Sequence, residues 1–298
     1  MSTSTPHGTE ATHRSLGGAI ALVLVGIASV QFGAGVAKNL FDEISPSALV
    51  WLCLATSTLF LLALARPRLR GRSVTDWWVV AGYGACLGLM NWAIYQSFAR
   101  IPIGVAVTIE FIGPLLAAAF GFRRPRDLMW VGLAAAGVVL LGAEPTGLDV
   151  LGVAFAVLAG AAWAGYILLT VGTGRRWEGL DGLAVASLIA LIVVTPALAA
   201  SGTDGLFDPR ILLLGAAVGL LSSVVPYSAE MVALRRLPAA TFGVLMSLEP
   251  AAAALAGLLV VGEELGALQW AAIACVVVAS VGATRATTGP RVAVPAPD

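Results

Sequence analysis

Ten apolar stretches, each close to twenty residues long and joined by short polar connections, constrain this chain more than any other feature of its sequence. They run at about 16–36, 46–65, 77–98, 102–121, 127–143, 150–171, 183–201, 211–232, 239–260 and 266–284. Crossing about 30 Å of hydrocarbon takes roughly 20 mostly apolar residues, and only a backbone that satisfies its own hydrogen bonds can do it. The pattern predicts an all-α integral membrane protein with ten transmembrane helices. Hydrophobic residues at 59%, charged residues at 11% and a mean hydropathy of +0.93 exclude a water-soluble globular domain. Because 17 basic and 17 acidic residues cancel, net charge points to no nucleic-acid partner; the expected partner is the lipid bilayer.

The first fifteen residues are polar and hold both histidines, and the run that starts at Leu16 lacks a small-residue cleavage pattern. We expect a polar tail over 1–15 and a retained first helix. Cys53, Cys86 and Cys275 lie inside apolar runs with no C-x-x-C spacing and no nearby histidine, which supports neither a disulfide framework nor a metal site. There is no phosphate loop and no Ser/His/Asp set, so no cofactor is expected and the chain does not read as an enzyme.

Arginine placement orients the bundle. The second connection carries Arg66, Arg68, Arg70 and Arg72, and the fourth carries Arg123, Arg124 and Arg126. With ten alternating spans, Arg14, Arg175, Arg176, Arg235, Arg236, Arg285 and Arg291 fall on the same side, which holds 14 of the 17 basic residues. The excess of Lys and Arg marks the cytoplasmic side, so both termini are expected there. Lys38, Arg100 and Arg210 stand opposite, with Asp42, Glu43, Glu144, Asp149, Asp204, Asp208, Glu263 and Glu264. Nine or eleven helices would scramble this asymmetry.

A repeat divides the chain. Pro102 opens the fourth stretch and Pro114 lies within it, Pro238 and Pro250 stand likewise in the ninth, with a spacing of twelve in each, and Arg100 and Arg236 precede the two openings in matching positions. Five spans separate these segments, so equivalent helices run in opposite directions. This predicts two inverted five-helix repeats, 16–143 and 150–284, followed by a cytoplasmic tail over 285–298. Transporters commonly use such repeats, with a substrate site at the midplane and access that alternates between the faces.

Acidic residues inside the apolar stretches are the candidates for chemistry, because a charge at the bilayer centre costs roughly 2.5–3.5 kcal/mol on insertion scales. Glu110 and Glu249 sit midway along the fourth and ninth stretches, and Glu230 lies a turn or two from the cytoplasmic end of the eighth. Burial disfavours the charged form of a carboxyl group, so such a residue can load and release a proton near neutral pH. It can equally hold an ammonium group, and competition between proton and substrate for one negative charge gives antiport. The competing reading is that each glutamate is neutral and hydrogen-bonds a neighbouring helix, and for Glu230 that it reaches water or pairs with Arg235 or Arg236.

Pro114, Pro226 and Pro250 each free a backbone carbonyl inside a stretch, which is tolerated where the carbonyl lines a cavity or finds a partner. Asn91 and Tyr95, four apart, share a helix face, and Tyr227 follows Pro226. Gln31, Gln96, Trp163 and Tyr166 complete the polar and aromatic groups at plausible depth for a small-molecule pocket, and each has packing as its rival explanation. Gly84-x-x-x-Gly88 permits close helix approach. Trp51, Trp77, Trp78 and Trp270, near the ends of their stretches, read as an interfacial belt.

Three segments carry a family resemblance: Asn91-Trp-Ala-Ile-Tyr95, the run from Ile101 to Leu115, and Pro226-Tyr-Ser-Ala-Glu-Met-Val-Ala-Leu234. They resemble EamA-type transporters of the drug/metabolite transporter superfamily. The run from Arg236 to Pro250, followed by Gly262 and Glu263, is similar to the threonine and homoserine exporter branch. The resemblance spans about 16–285. It implies a multi-pass protein of the bacterial inner membrane that exports small neutral amino acids, driven by the proton gradient. Inverted halves within one chain remove the need for an antiparallel dimer, so a monomer is expected, with a homodimer as the alternative. It also implies that Glu110, Glu230 and Glu249 belong to the substrate or proton pathway. Rival expectations are export of another metabolite or drug on the same fold, and a transport-inactive membrane scaffold.

Overall fold

A computed structural model describes residues 7–119, 128–141, 147–226, 229, 233, 236–237 and 239–288. Among these the regular structure is all helical, in ten successive helical segments. They are α1 (His7–Asn39), α2 (Pro46–Ala65), α3 (Val74–Phe98), α4 (Ile103–Ala119), α5 (Met129–Leu141), α6 (Val150–Arg176), α7 (Asp181–Ser201), α8 (Pro209–Ser223), α9 (Thr241–Val261) and α10 (Ala267–Thr288). Seven are long and apolar enough to cross a bilayer; α4, α5 and α8 are shorter apolar helices that border residues outside the described set.

Helical backbone begins at His7, ahead of the expected start of the first stretch, although the apolar span itself begins at Gly17. No proline falls between Pro6 and Pro46, so nothing in the backbone chemistry ends the helix where the apolar run ends. Later starts are marked by side chains. Ser45 accepts the N–H of Ala48 ahead of Pro46, Ser73 and Asp76 form a reciprocal capping box, and Asp149 and Asp208 cap α6 and α8. These caps supply acceptors for backbone N–H groups that have no partner within the helix.

The bundle is held by close approach more than by side-chain volume. A Cβ at Gly84 would lie 2.6 Å from the Ala186 carbonyl and one at Gly88 2.8 Å from that of Ala190, so the two glycines let α3 lie directly on α7. Gly104 does the same for α4 against Ala254 of α9, where a Cβ would stand 2.6 Å from the Ala254 Cα. In this way α3 packs on α6 and α7, α2 on α7 and α8, α4 on α6 and α9, α1 on α8 and α9, and α5 on α10. Leu59, Val139, Leu213 and Leu259 are each more than two-thirds exposed, the surface that lipid covers.

Polar links cross these contacts. Ser97 Oγ donates to the Gly152 carbonyl, and Trp92 Nε1 and Gln96 Nε2 both donate to Ser47 Oγ. Trp51 does more than mark an interface: its Nε1 donates to Thr195 Oγ1 and ties α2 to α7. Trp78 is 75% exposed, as an interfacial residue should be.

On the acidic face, Lys38 Nζ lies 2.6 Å from Glu263 Oε1 and donates to the Ile101 carbonyl, while Glu263 Oε2 accepts the N–H of Ile103 at 2.9 Å. This network joins the end of α1, the start of α4 and the turn after α9. Gly262, at φ 82°, provides that turn, which a residue with a Cβ adopts only under strain. On the arginine-rich face, Arg176 pairs with Asp76, and Arg72 donates to the Arg176 carbonyl and covers the Trp177 ring.

Candidate functional site

Breaks in α4 and α9 define the site. Helix α4 is interrupted at Phe111, directly after Glu110, and α9 at Ser247 and Leu248, directly before Glu249. The physical cause is proline in each case. Pro114 has no N–H, so the Glu110 carbonyl four residues back receives no helical bond from it, and Pro250 leaves the Met246 carbonyl in the same condition. In α8 the last turn, Leu220–Val224, steps five residues per hydrogen bond, so Pro226 deprives the Leu221 carbonyl. Ser29 of α1 makes good that loss, donating its Oγ to Leu221 O at 2.7 Å.

The breaks surround a cavity of about 320 Å³. Glu110 and Glu249 both border it and are 7% and 9% exposed. No Lys or Arg borders the cavity among the described residues. Two carboxyl groups in a largely desolvated space favour protonation or the binding of a cation.

The structure brings most of the expected residues to this cavity. Asn91 and Tyr95 border it together, as their spacing on one face of α3 requires, and Gln31, Trp163, Tyr166 and Pro226 join them. Asn91 Nδ2 donates to the Leu87 carbonyl and the Tyr95 hydroxyl to Cys53 Sγ. Trp163 stands edge-on to Phe111 at 5.4 Å, and Tyr166 stacks on Tyr83 at 4.6 Å. Gln96 is not part of the cavity: it faces Ser47 and accepts from Arg100. Glu230 and Tyr227 lie outside the described residues.

Sequence reasoning missed a set of hydroxyls. Ser57, Ser187, Ser222 and Ser223 border the cavity, and Ser57 Oγ and Ser223 Oγ are 2.9 Å apart across α2 and α8. The only available signal was Ser222-Ser223 three residues before Pro226.

Gly160 of α6 lets that helix approach the freed Glu110 carbonyl: a Cβ there would stand 2.7 Å from the oxygen, and a backbone atom cannot yield as a flexible side chain does. We expect Gly160→Ala to cost about 1–3 kcal/mol by overpacking, read as a lower thermal unfolding midpoint in detergent. An unchanged midpoint would mean that α6 is free to move away.

At the acidic end of the cavity, Tyr95 and Phe98 are buried, and Phe41 packs on Tyr95 at 6.1 Å. The Lys38–Glu263 network lies on this same face.

Residues 150–285 match the EamA-like transporter family. Two curated relatives are named threonine/homoserine exporter RhtA. The one from Salmonella typhimurium (strain LT2) is 42% identical over 89% of this chain and 90% of its own, and the one from Escherichia coli (strain K12) is 41% identical over the same shares. A Bacillus subtilis (strain 168) protein named uncharacterized transporter YwfM is 32% identical over 57% of this chain and 62% of its own. A solved crystal structure at 20% identity superposes with a TM-score of 0.56 over 90% of this chain and 96% of that one, a likeness of fold. With ten apolar helices, matches across nine-tenths of its length and a family domain in its second half, the chain is a multi-pass membrane protein of the EamA-like transporter family, on the branch that holds the RhtA relatives.

Proposed function

We propose that this chain exports small neutral amino acids of the threonine and homoserine kind across the bacterial inner membrane, in exchange for protons. The observation that carries the reading is that Glu110 and Glu249, both buried, border one cavity. A cargo ammonium group binds these carboxylates, and protons take its place when it leaves. One pair of carboxylates that is occupied alternately by cargo and protons couples the two flows. The names of the relatives support the substrate class. At about 320 Å³ the cavity stands at the small end of ligand pockets, which favours a small metabolite over a bulky drug.

Alternating access of two inverted repeats is the proposed route. The helix pairing supports it. If α1 to α5 are exchanged with α6 to α10, the α4–α6 contact becomes α9–α1, α3–α7 becomes α8–α2 and α3–α6 becomes α8–α1, while α2–α7, α4–α9 and α5–α10 map onto themselves. All of these contacts occur. We place the arginine-rich face and both termini in the cytoplasm, from the excess of Arg there. In this reading the Lys38–Glu263 network latches the outer face. Both halves belong to one chain, so a monomer contains the whole pathway.

The test is efflux of labelled threonine and homoserine from cells or proteoliposomes containing the chain, with and without a proton gradient. The expected result is efflux that is several-fold above a vector control and that stops when the gradient is collapsed. Efflux of neither compound would end the substrate reading and leave the family assignment intact.

A further inference from the structure

The side chain of Gln31 is 3% exposed and borders the cavity, yet its Oε1 has no hydrogen-bond donor among the described residues. Neighbouring polar groups are engaged. Ser29, half a turn away, is bonded to Leu221, Asn91 to Leu87, Tyr95 to Cys53, and Ser57 to Ser223. Two residues on, Gly33 lets α1 approach Ser222 so closely that a Cβ there would lie 2.9 Å from its Oγ. The result is a desolvated acceptor in the wall of the space that holds the two glutamates.

We propose that Gln31 Oε1 accepts the side-chain hydroxyl of the cargo and so separates hydroxylated amino acids from equally sized ones without a hydroxyl. The proposal rests on the exporter reading above. Glu110 and Glu249 attract the ammonium group, which every amino acid carries, and so cannot distinguish threonine from valine. Those two differ by a hydroxyl in place of a methyl. A hydroxyl replaces the hydrogen bond that water would give Oε1, whereas a methyl displaces that water and leaves the acceptor bare. Sites built on a hydrogen bond reject the analogue that lacks it far more strongly than apolar pockets sort by size.

The test compares efflux of labelled threonine with valine, and of homoserine with norvaline, in proteoliposomes of the full chain. The wild type is expected to favour each hydroxylated member at least about ten-fold. Gln31→Met has similar length but no acceptor oxygen, and should bring both ratios close to one. Ratios in Gln31→Met that match the wild type would overturn the proposal. A wild-type chain that carries valine as fast as threonine would also overturn it, whether or not the variant folds, and would leave the exporter reading standing. A wild-type chain that exports none of the four compounds would overturn both.

Discussion

Glu110→Gln and Glu249→Gln are each expected to lower gradient-driven threonine efflux by about ten- to hundred-fold at equal protein level. A charge-assisted hydrogen bond is worth roughly 1.5–3 kcal/mol, and about 1.4 kcal/mol is a factor of ten. Glutamine keeps the shape and polarity of the site but carries neither the negative charge nor a transferable proton. The buried position of both residues removes the easy alternative of solvent as counter-ion. Exchange of labelled for unlabelled threonine in the absence of a gradient separates the two roles. A variant that exchanges normally but does not respond to the gradient has lost proton coupling, whereas one that does neither has lost cargo binding. The pH dependence has a definite sign. Protons and ammonium compete for the same carboxylates, so lowering the cytoplasmic pH should weaken apparent affinity for cargo in the wild type and leave the double variant flat. Wild-type efflux from both single variants would assign the glutamates to helix packing.

Lys38→Met is expected to lower stability by about 2–3 kcal/mol, measured by thermal or denaturant unfolding in detergent. Removing one partner of a fully buried ion pair costs roughly 3–5 kcal/mol because the other charge is stranded. The side chains here are 20% and 11% exposed, so solvent screening lowers the figure. Glu263→Gln should cost less, because its amide oxygen can still accept the Ile103 N–H and Lys38 can still donate to the Ile101 carbonyl. The double variant Lys38→Met/Glu263→Gln should therefore recover part of the Lys38→Met loss, since no buried carboxylate remains unpaired. Additive losses would show that the two residues do not act as a pair.

The number and placement of the helices could be read from the chain alone, because a spanning helix is a local object. Its hydrogen bonds lie within the segment, and its solvent is announced by the apolar run itself. Hence 46–65 and 183–201 in the sequence correspond closely to Pro46–Ala65 and Asp181–Ser201 in the structure. Glu110, Glu249 and their prolines were legible for the same reason: a carboxyl group or a missing N–H in an apolar run is anomalous whatever surrounds it. Gln31 and Gln96 were indistinguishable by that criterion, and one borders the cavity while the other bonds Ser47.

Only the tertiary structure decided which side chains meet. Ser57 and Ser223 lie far apart in sequence and are ordinary serines in apolar runs; they become neighbours because small residues let α2, α7 and α8 pack closely. Lys38 and Glu263 each looked like a loop charge, and their pairing across the acidic face needs α1, α4 and α9 to be in place first. The sequence by itself determined a ten-helix membrane protein with three anomalous carboxylates, Glu110, Glu230 and Glu249, since hydropathy and backbone chemistry act residue by residue. The shared cavity, its hydroxyls and the bare acceptor of Gln31 arise from long-range packing, which depends on how close two backbones come and is written in no single segment.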